Sequence, residues 1–442
     1  MKKETYILEN SFTIPLNSEV QFEYYSNIDY LITYDEIYLC TSTRKGINTT
    51  SVALPFNSKN INEKCKNEVK IIDNMIRYKF IRIMNDDILN KQQANISNDN
   101  MDFQTKSKSL ENNFIEKNYL LVFGRAISLY NPKNLEFMHQ CQPQLSNQQS
   151  MLPLLYTAAA SYKCFIVIGS NAGHVLLGQI KNDKIEILQI TNQTYFPITD
   201  IDINDNGIIA VAFDEGEIDT YKIKDGILVP LSSHSDDNNE IITQIQIGDY
   251  ILASYESGQI RLFSYNEKDI FLKCEMDLGY SEIKGMDYWN SQNIFTVIVD
   301  DFIGVWEIKK DDKIKSEFNQ KMRTTTDLYK YTISDNSSES NKPNNYDNII
   351  DTNSGTNTSL HKSDKSKDAI SLNDYNEELY SLNIEMQWSY QCKSKYLSGI
   401  KFLKHLNSEA FNTDVKHNYK YIAVVAYDYS EINIYSITLT SN

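Results

Sequence analysis

The stretch YESGQIRLFSYN, residues 255–266, sets a Ser-Gly pair between two short apolar runs. Glycine at such a point supplies the positive φ that a tight hairpin needs. After the turn, Ile260 and Leu262 point one way and alternate with Gln259 and Arg261, the two-residue period of a strand, while Ser264 falls outside the apolar pair. The same shape recurs as SNAGHVLLGQI (170–180), FDEGEIDTYKI (213–223) and VDDFIGVWEI (299–308). VFGRAISLYN (122–131), AYDYSEINIYSI (426–437) and TYDEIYLCTS (33–42) extend the series. Aligned on the turn, one column reads Cys40, Tyr130, Gly178, Tyr221, Phe263, Trp306 and Tyr435. Aromatic residues dominate it, and Gly178 to Tyr221 to Phe263 to Trp306 steps by 43, 42 and 43 residues.

An apolar run precedes most turns, for example IIAVAFD, YILASYE and NIFTVIV. Ahead of that lies an often alternating strand, ITDIDI (198–203), ITQIQI (242–247), IKGMDY (283–288) or LSGIKF (397–402). A fourth run follows, such as KIEILQI (184–190). Four short strands per repeat of this length predict an all-β chain, a single WD40-type β-propeller. One blade cannot bury both faces, whereas a ring of blades can, leaving only short edges. Seven blades are expected, with eight as the alternative, because the steps from Cys40 to Tyr130 and from Trp306 to Tyr435 span 90 and 129 residues. SFTIPL (11–16) is the expected outer strand of the last blade, latching the ring by its two ends. VKIIDNMIRYKFIRIM (69–84) reads as a strand pair. The propeller is expected to occupy residues 1–442, with disordered polar insertions at about 85–115 and 311–380. Both insertions and the 405–419 segment should leave from one face, which leaves the other with short turns.

Those turns carry Asp35, Glu36, Asp214, Glu215, Glu256, Asp300, Asp301, Asp428 and Glu431. Taken singly, each suits a tight, solvated hairpin. Taken together they form a candidate rim for a basic protein partner. The chain has 43 basic and 59 acidic residues, net −16, which argues against nucleic-acid binding and against docking on an anionic membrane. Six scattered cysteines without a C-x-x-C pair read as reduced thiols of a cytoplasmic protein. No secretory signal and no membrane-spanning run is evident, so membrane insertion is not expected.

The motifs that carry chemistry are weak. DINDNG (202–207) matches the start of a calcium loop, but the twelfth position is Phe213 rather than Glu, and Asn-Gly suits a hairpin better. The six histidines lack metal-ligand spacing. No nucleophile elbow, dinucleotide fingerprint or Walker loop occurs, so neither catalysis nor a cofactor is expected. Trp306 reads as blade packing and Arg125 as a solvated side chain.

SFTIPL, LLVFGRAISLY (120–130), FPITDIDI (196–203), GDYILASYESGQIRLF (248–263), DDFIGVWEI (300–308) and YDYSEINIY (427–435) together resemble the WD repeat-containing protein 54 family. The resemblance covers nearly the whole chain apart from the polar insertions. It implies a non-catalytic WD40 propeller acting as a protein-interaction scaffold, associated with cilia or a larger axonemal assembly. No site residues come with it. The chain departs from ordinary WD40 repeats, since only Trp306-Glu307 approximates Trp-Asp and Gly173-His174 lies in the wrong turn. Two other functions stay open. A reader of ubiquitin or phosphopeptides would need a basic or apolar pocket on the short-looped face. A propeller enzyme would need carboxylates and histidines clustered at the channel.

Overall fold

The Ser257-Gly258 turn closes as the alternation predicts: Gly258 takes φ +86° and donates its N–H to the Tyr255 carbonyl at 3.0 Å. Gly173 and Gly216 repeat this geometry on the carbonyls of Ser170 and Phe213, at 3.2 and 3.3 Å. These turns belong to a computed structural model that describes residues 5–15, 26–32, 36–42, 46–53, 65–71, 75–83, 117–143, 153–192, 196–235, 239–279, 282–311, 381–392, 396–404, 420–426 and 431–440. Both long insertions expected from the sequence fall almost wholly outside the described residues, as does the 405–419 segment.

Seven four-stranded antiparallel sheets form a ring, a seven-bladed β-propeller. The chain's first strand, β1 (Thr5–Pro15), belongs to the last blade, and blade 1 begins at β2 (Ser26–Ile32). Blade 1 continues through β3 (Glu36–Ser42), β4 (Gly46–Ala53) and β5 (Cys65–Ile71). Blade 2 is β6 (Met75–Ile83), β7 (Lys117–Gly124), β8 (Ile127–Tyr130) and β9 (Phe137–Cys141). Blade 3 is β10 (Tyr156–Tyr162), β11 (Phe165–Ser170), β12 (His174–Lys181) and β13 (Lys184–Asn192). Blade 4 is β14 (Ile198–Ile203), β15 (Ile208–Phe213), β16 (Ile218–Lys224) and β17 (Ile227–His234). Blade 5 is β18 (Ile242–Ile247), β19 (Ile251–Tyr255), β20 (Gln259–Tyr265) and β21 (Ile270–Asp277). Blade 6 is β22 (Gly285–Trp289), β23 (Ile294–Val299), β24 (Phe302–Asp311) and β25 (Ser381–Gln391). Blade 7 is β26 (Leu397–Phe402), β27 (Lys420–Ala426) and β28 (Glu431–Thr440), completed by β1. Residues Lys309–Asn383 form a separate compact unit, of which 309–311 and 381–383 are described.

The first strand of every blade contacts that of the next, and β2 of blade 1 contacts β26 of blade 7, so the ring is closed. The latch runs from the Thr5–Thr440 pair to the Pro15–Glu431 pair, with a bulge between Asn10 and Phe12. It is longer than the 11–16 run read from the sequence. Ile14 is fully buried there among Ile432, Ile434 and Val425. Residues 69–84 do form two strands, but β5 and β6 belong to neighbouring sheets instead of one hairpin.

The column falls on the third strand of six blades, where five members are aromatic and the sixth is Gly178. Tyr221, Phe263 and Trp306 are 1%, 0% and 1% exposed on third strands, and Trp306 stacks on Phe295 with centroids 5.6 Å apart. Burying a side chain of this class stabilises by about 1.5–3 kcal/mol. Trp306 also explains Gly304, because a Cβ there would fall 2.0 Å from the indole. Cys40 is the exception. It lies on β3, the second strand of blade 1, so residues 33–42 span a first-to-second connection and not a copy of the hairpin. The alternation of 33–42 resembles the copies closely, but the blade's third strand is GINTTSVA, whose polar residues hide it.

Candidate functional site

In an antiparallel four-stranded blade, the second-to-third hairpins and the fourth-to-first crossings lie at the same end. That end is the hairpin face. Blade 4 brings Asp214, Glu215 and Glu217 to it, blade 5 brings Glu256, and blade 6 brings Asp300 and Asp301. The backbone fixes these turns. The Asp214 N–H donates to the Pro197 carbonyl at 3.1 Å, and the Glu256 N–H to that of Ile241 at 3.0 Å. Asp300 holds φ +49°, and its carbonyl accepts from the Leu397 N–H at 2.8 Å.

The carboxylates differ in how they are compensated. Glu240, from the crossing into blade 5, and Glu275 are held by the buried Arg261 at 3.1 and 3.2 Å, and that guanidinium lies 4.1 Å above the Tyr255 ring. Asp301 is half-buried and accepts from Gln391 Nε2 at 3.0 Å. By contrast, Asp214, Glu215, Glu217 and Asp219 have no ion-pair partner among the described residues. Burial and then the neighbouring Glu215 raise the Asp214 carboxyl, while burial, Asp219 and Glu215 raise that of Glu217. In both, burial is the first cause and the neighbouring carboxylates add to it, so the charged forms disfavour one another. Glu215, Glu256 and Asp300 are exposed.

Among the described residues the acids of this face gather on blades 4 to 6, and the exposed Glu431 continues them on blade 7. Blade 2 presents the exposed Arg125 at the corresponding turn, and the 43–45 connection of blade 1 reads Thr-Arg-Lys. One of the acids read from the sequence lies elsewhere. Glu36 opens β3 after the first-to-second connection, so it belongs to the opposite end of blade 1, and Asp35, in that same connection, lies outside the described residues. Asp428 also lies outside them, and Glu431 opens β28 and is exposed.

A second polar assembly lines the channel, formed by the alternating residues of the first strands. First strands do not pair with one another, so their inner-edge N–H groups need other acceptors. Side chains of the preceding blade supply them. Asp29 accepts from Phe80 N–H at 2.7 Å, Asp200 from Ile245 at 3.0 Å, Asp202 from Ile247 at 2.9 Å and Asp287 from Phe402 at 2.8 Å. Gln244 Oε1 does the same for Met286 at 2.8 Å. Cations answer the carboxylates: Arg77 lies 3.5 Å from Asp200, Lys79 3.8 Å from Asp202, and Lys401 3.1 Å from Asp287. Burial drives the Asp29 and Asp200 carboxyls up in spite of these cations. For Asp287 burial is outweighed by Lys401, Lys404 and the Phe402 N–H, and its carboxyl is held below the usual range. The channel was legible only as alternation in ITDIDI and ITQIQI, whose second face points inward.

The described histidines lie away from these strands. His139 sits on β9, where its Nδ1 accepts from the Ile185 N–H at 3.3 Å, His174 opens β12, and His234 ends β17 against Phe263. His361, His405 and His417 lie outside the described residues. The DINDNG stretch forms a hairpin, with Asn204 Oδ1 accepting from Asn206 and Ile208 N–H at 2.9 and 3.0 Å. No group of three or more His, Cys, Asp or Glu suited to a metal occurs among the described residues. No helix among them is long and apolar enough to cross a membrane. Cys40, Cys141, Cys164, Cys274 and Cys392 are free thiols. The chain matches no protein-family model, and no curated protein matches it either.

Proposed function

We propose that this protein is a non-catalytic interaction scaffold that docks a basic protein partner on the acidic sector of blades 4 to 6. The observation that carries the proposal is the group of Asp214, Glu215 and Glu217, which have no ion-pair partner among the described residues, continued by Glu256 and Asp300 on the adjoining hairpins. Such a field steers a cationic partner and raises its association rate, an effect that salt screens. A propeller suits this work because a rigid ring holds the hairpins while their tips stay free to vary. Placement in a cilium- or axoneme-associated complex rests on the family resemblance alone, as does the cytoplasmic setting on cysteine usage.

The test combines E215K, E256K and D300N, three exposed positions whose side chains make no ion pair among the described residues. Asn is chosen at Asp300 because it tolerates the positive φ. Proximity labelling and pull-down from ciliated cells should show basic partners lost from the folded variant. Retention of the same partners at low salt refutes the acidic sector, and an exclusively nuclear distribution refutes the ciliary placement.

A further inference from the structure

The channel widens at the hairpin face into a cavity of about 300 Å³. It is lined by the starts of first strands, including Arg77, Asp200, Gln244 and Ser398, and by the ends of second strands at Ser42 and Phe123. Both kinds of position lie at the hairpin end of their blades. We infer that this cavity is a binding site for a small multivalent oxyanion, a phosphate or polycarboxylate compound held by Arg77, Lys79, Gln244 and Gln246.

The argument is one of donors and acceptors. Although the chain carries a net charge of −16, the cavity lining holds four cations against two carboxylates, Asp29 and Asp200; of the cations, Lys284 pairs with Glu282 and Lys401 with Asp287, which leaves Arg77 and Lys79 as the charged donors for a ligand. Those two carboxylates already accept inter-blade N–H groups, from Phe80 and Ile245. The donors are less committed. Among the described residues Arg77 donates only through Nη1, to the Thr199 carbonyl at 3.2 Å and to Asp200 at 3.5 Å. Its remaining guanidinium N–H groups are unspent, and its side chain is 38% exposed. Lys79 stands two residues along the same strand, so it projects to the same side, and its nearest carboxylate is 3.8 Å away. Gln244 spends its oxygen on Met286 N–H and keeps its amide donors. Gln246 makes no side-chain hydrogen bond among the described residues.

Space accompanies the donors. Blade 3 contributes only the small Ala158 and Ala159 to the lining. A ligand rich in acceptors would complete these donors, and bidentate capture by a guanidinium is the strongest single contact available to it. The exposed acids Glu215, Glu256 and Asp300 are not part of the cavity lining, whereas Asp200 and Asp202 stand 3.5 and 3.8 Å from Arg77 and Lys79 and would share those cations with a bound anion.

The experiment is titration calorimetry of the full chain at constant ionic strength, with inorganic pyrophosphate and with citrate as separate probes and chloride as the control. Binding of pyrophosphate alone assigns a phosphate compound, binding of citrate alone a polycarboxylate, and binding of both the shared oxyanion chemistry. R77Q/K79Q should weaken binding at least tenfold. Q246E keeps the shape and breaks no described hydrogen bond, so it should weaken binding several-fold in a protein of unchanged melting temperature. Heat from neither probe, or equal affinity in wild type, R77Q/K79Q and Q246E, overturns the inference. Failure here leaves the acidic sector untouched, because E215K, E256K and D300N lie outside the cavity.

Discussion

Replacing Asp287 with Ala removes the acceptor that joins blade 6 to blade 7. The side chain is 3% exposed, accepts from the Phe402 N–H at 2.8 Å, and faces Lys401 at 3.1 Å and Lys404 at 3.8 Å. Removing one partner of a buried pair costs about 3–5 kcal/mol, and an orphaned buried N–H about 1–3 kcal/mol. Lys401 is itself 22% exposed and has Asp29 and Asp202 within its field, which holds the total near the low end, about 3 kcal/mol. Urea unfolding followed by tryptophan fluorescence reads the interface, since Trp289 packs on Phe402 with centroids 5.6 Å apart. Against K401A, the double variant should be less destabilised than the sum by about 1–3 kcal/mol. A D287A loss under about 1 kcal/mol with strict additivity refutes the reasoning. The sign with pH follows from the depressed carboxyl. Its stabilisation is present above the ordinary carboxylate value and is lost as pH falls through the lower folded value. The difference between wild type and D287N should therefore shrink on acidification below about pH 4.

Other outcomes follow from single positions. I14A, at a fully buried latch position, should destabilise by about 2–5 kcal/mol and speed proteolysis, measured by denaturation and limited digestion. G304V drives a branched side chain into the Trp306 indole and should cost about 1–3 kcal/mol or prevent folding, read from melting temperature and near-UV dichroism. Asp29 behaves opposite to Asp287, because its raised carboxyl gives stability that fades as pH rises through the folded value. D29N should thus gain on wild type from pH 4 upward in a denaturation series.

The sequence carried the repeat well where apolar runs and Gly turns coincide, as in blades 3 to 6. Blade 1 escaped because its third strand, GINTTSVA, has Asn48, Thr49 and Thr50 buried, so composition points to a loop. That displaced Cys40 by one strand and carried Glu36 to the other end of the blade. The acids of blades 4 to 6 were legible as turn residues. Their compensation was not, since whether Arg261 neutralises Glu240 depends on contacts 21 residues apart. The channel lay in plain alternation, yet its Asp-to-next-blade hydrogen bonds span 45 residues or more and appear only once the ring closes.

Hydrogen–deuterium exchange of the full chain with a captured basic partner tests the central claim most directly. Protection concentrated on the hairpins at 213–217, 255–259 and 299–302, weakened in E215K/E256K/D300N, is the predicted result. Protection confined to the opposite end of the blades, or to their outer strands, would contradict it.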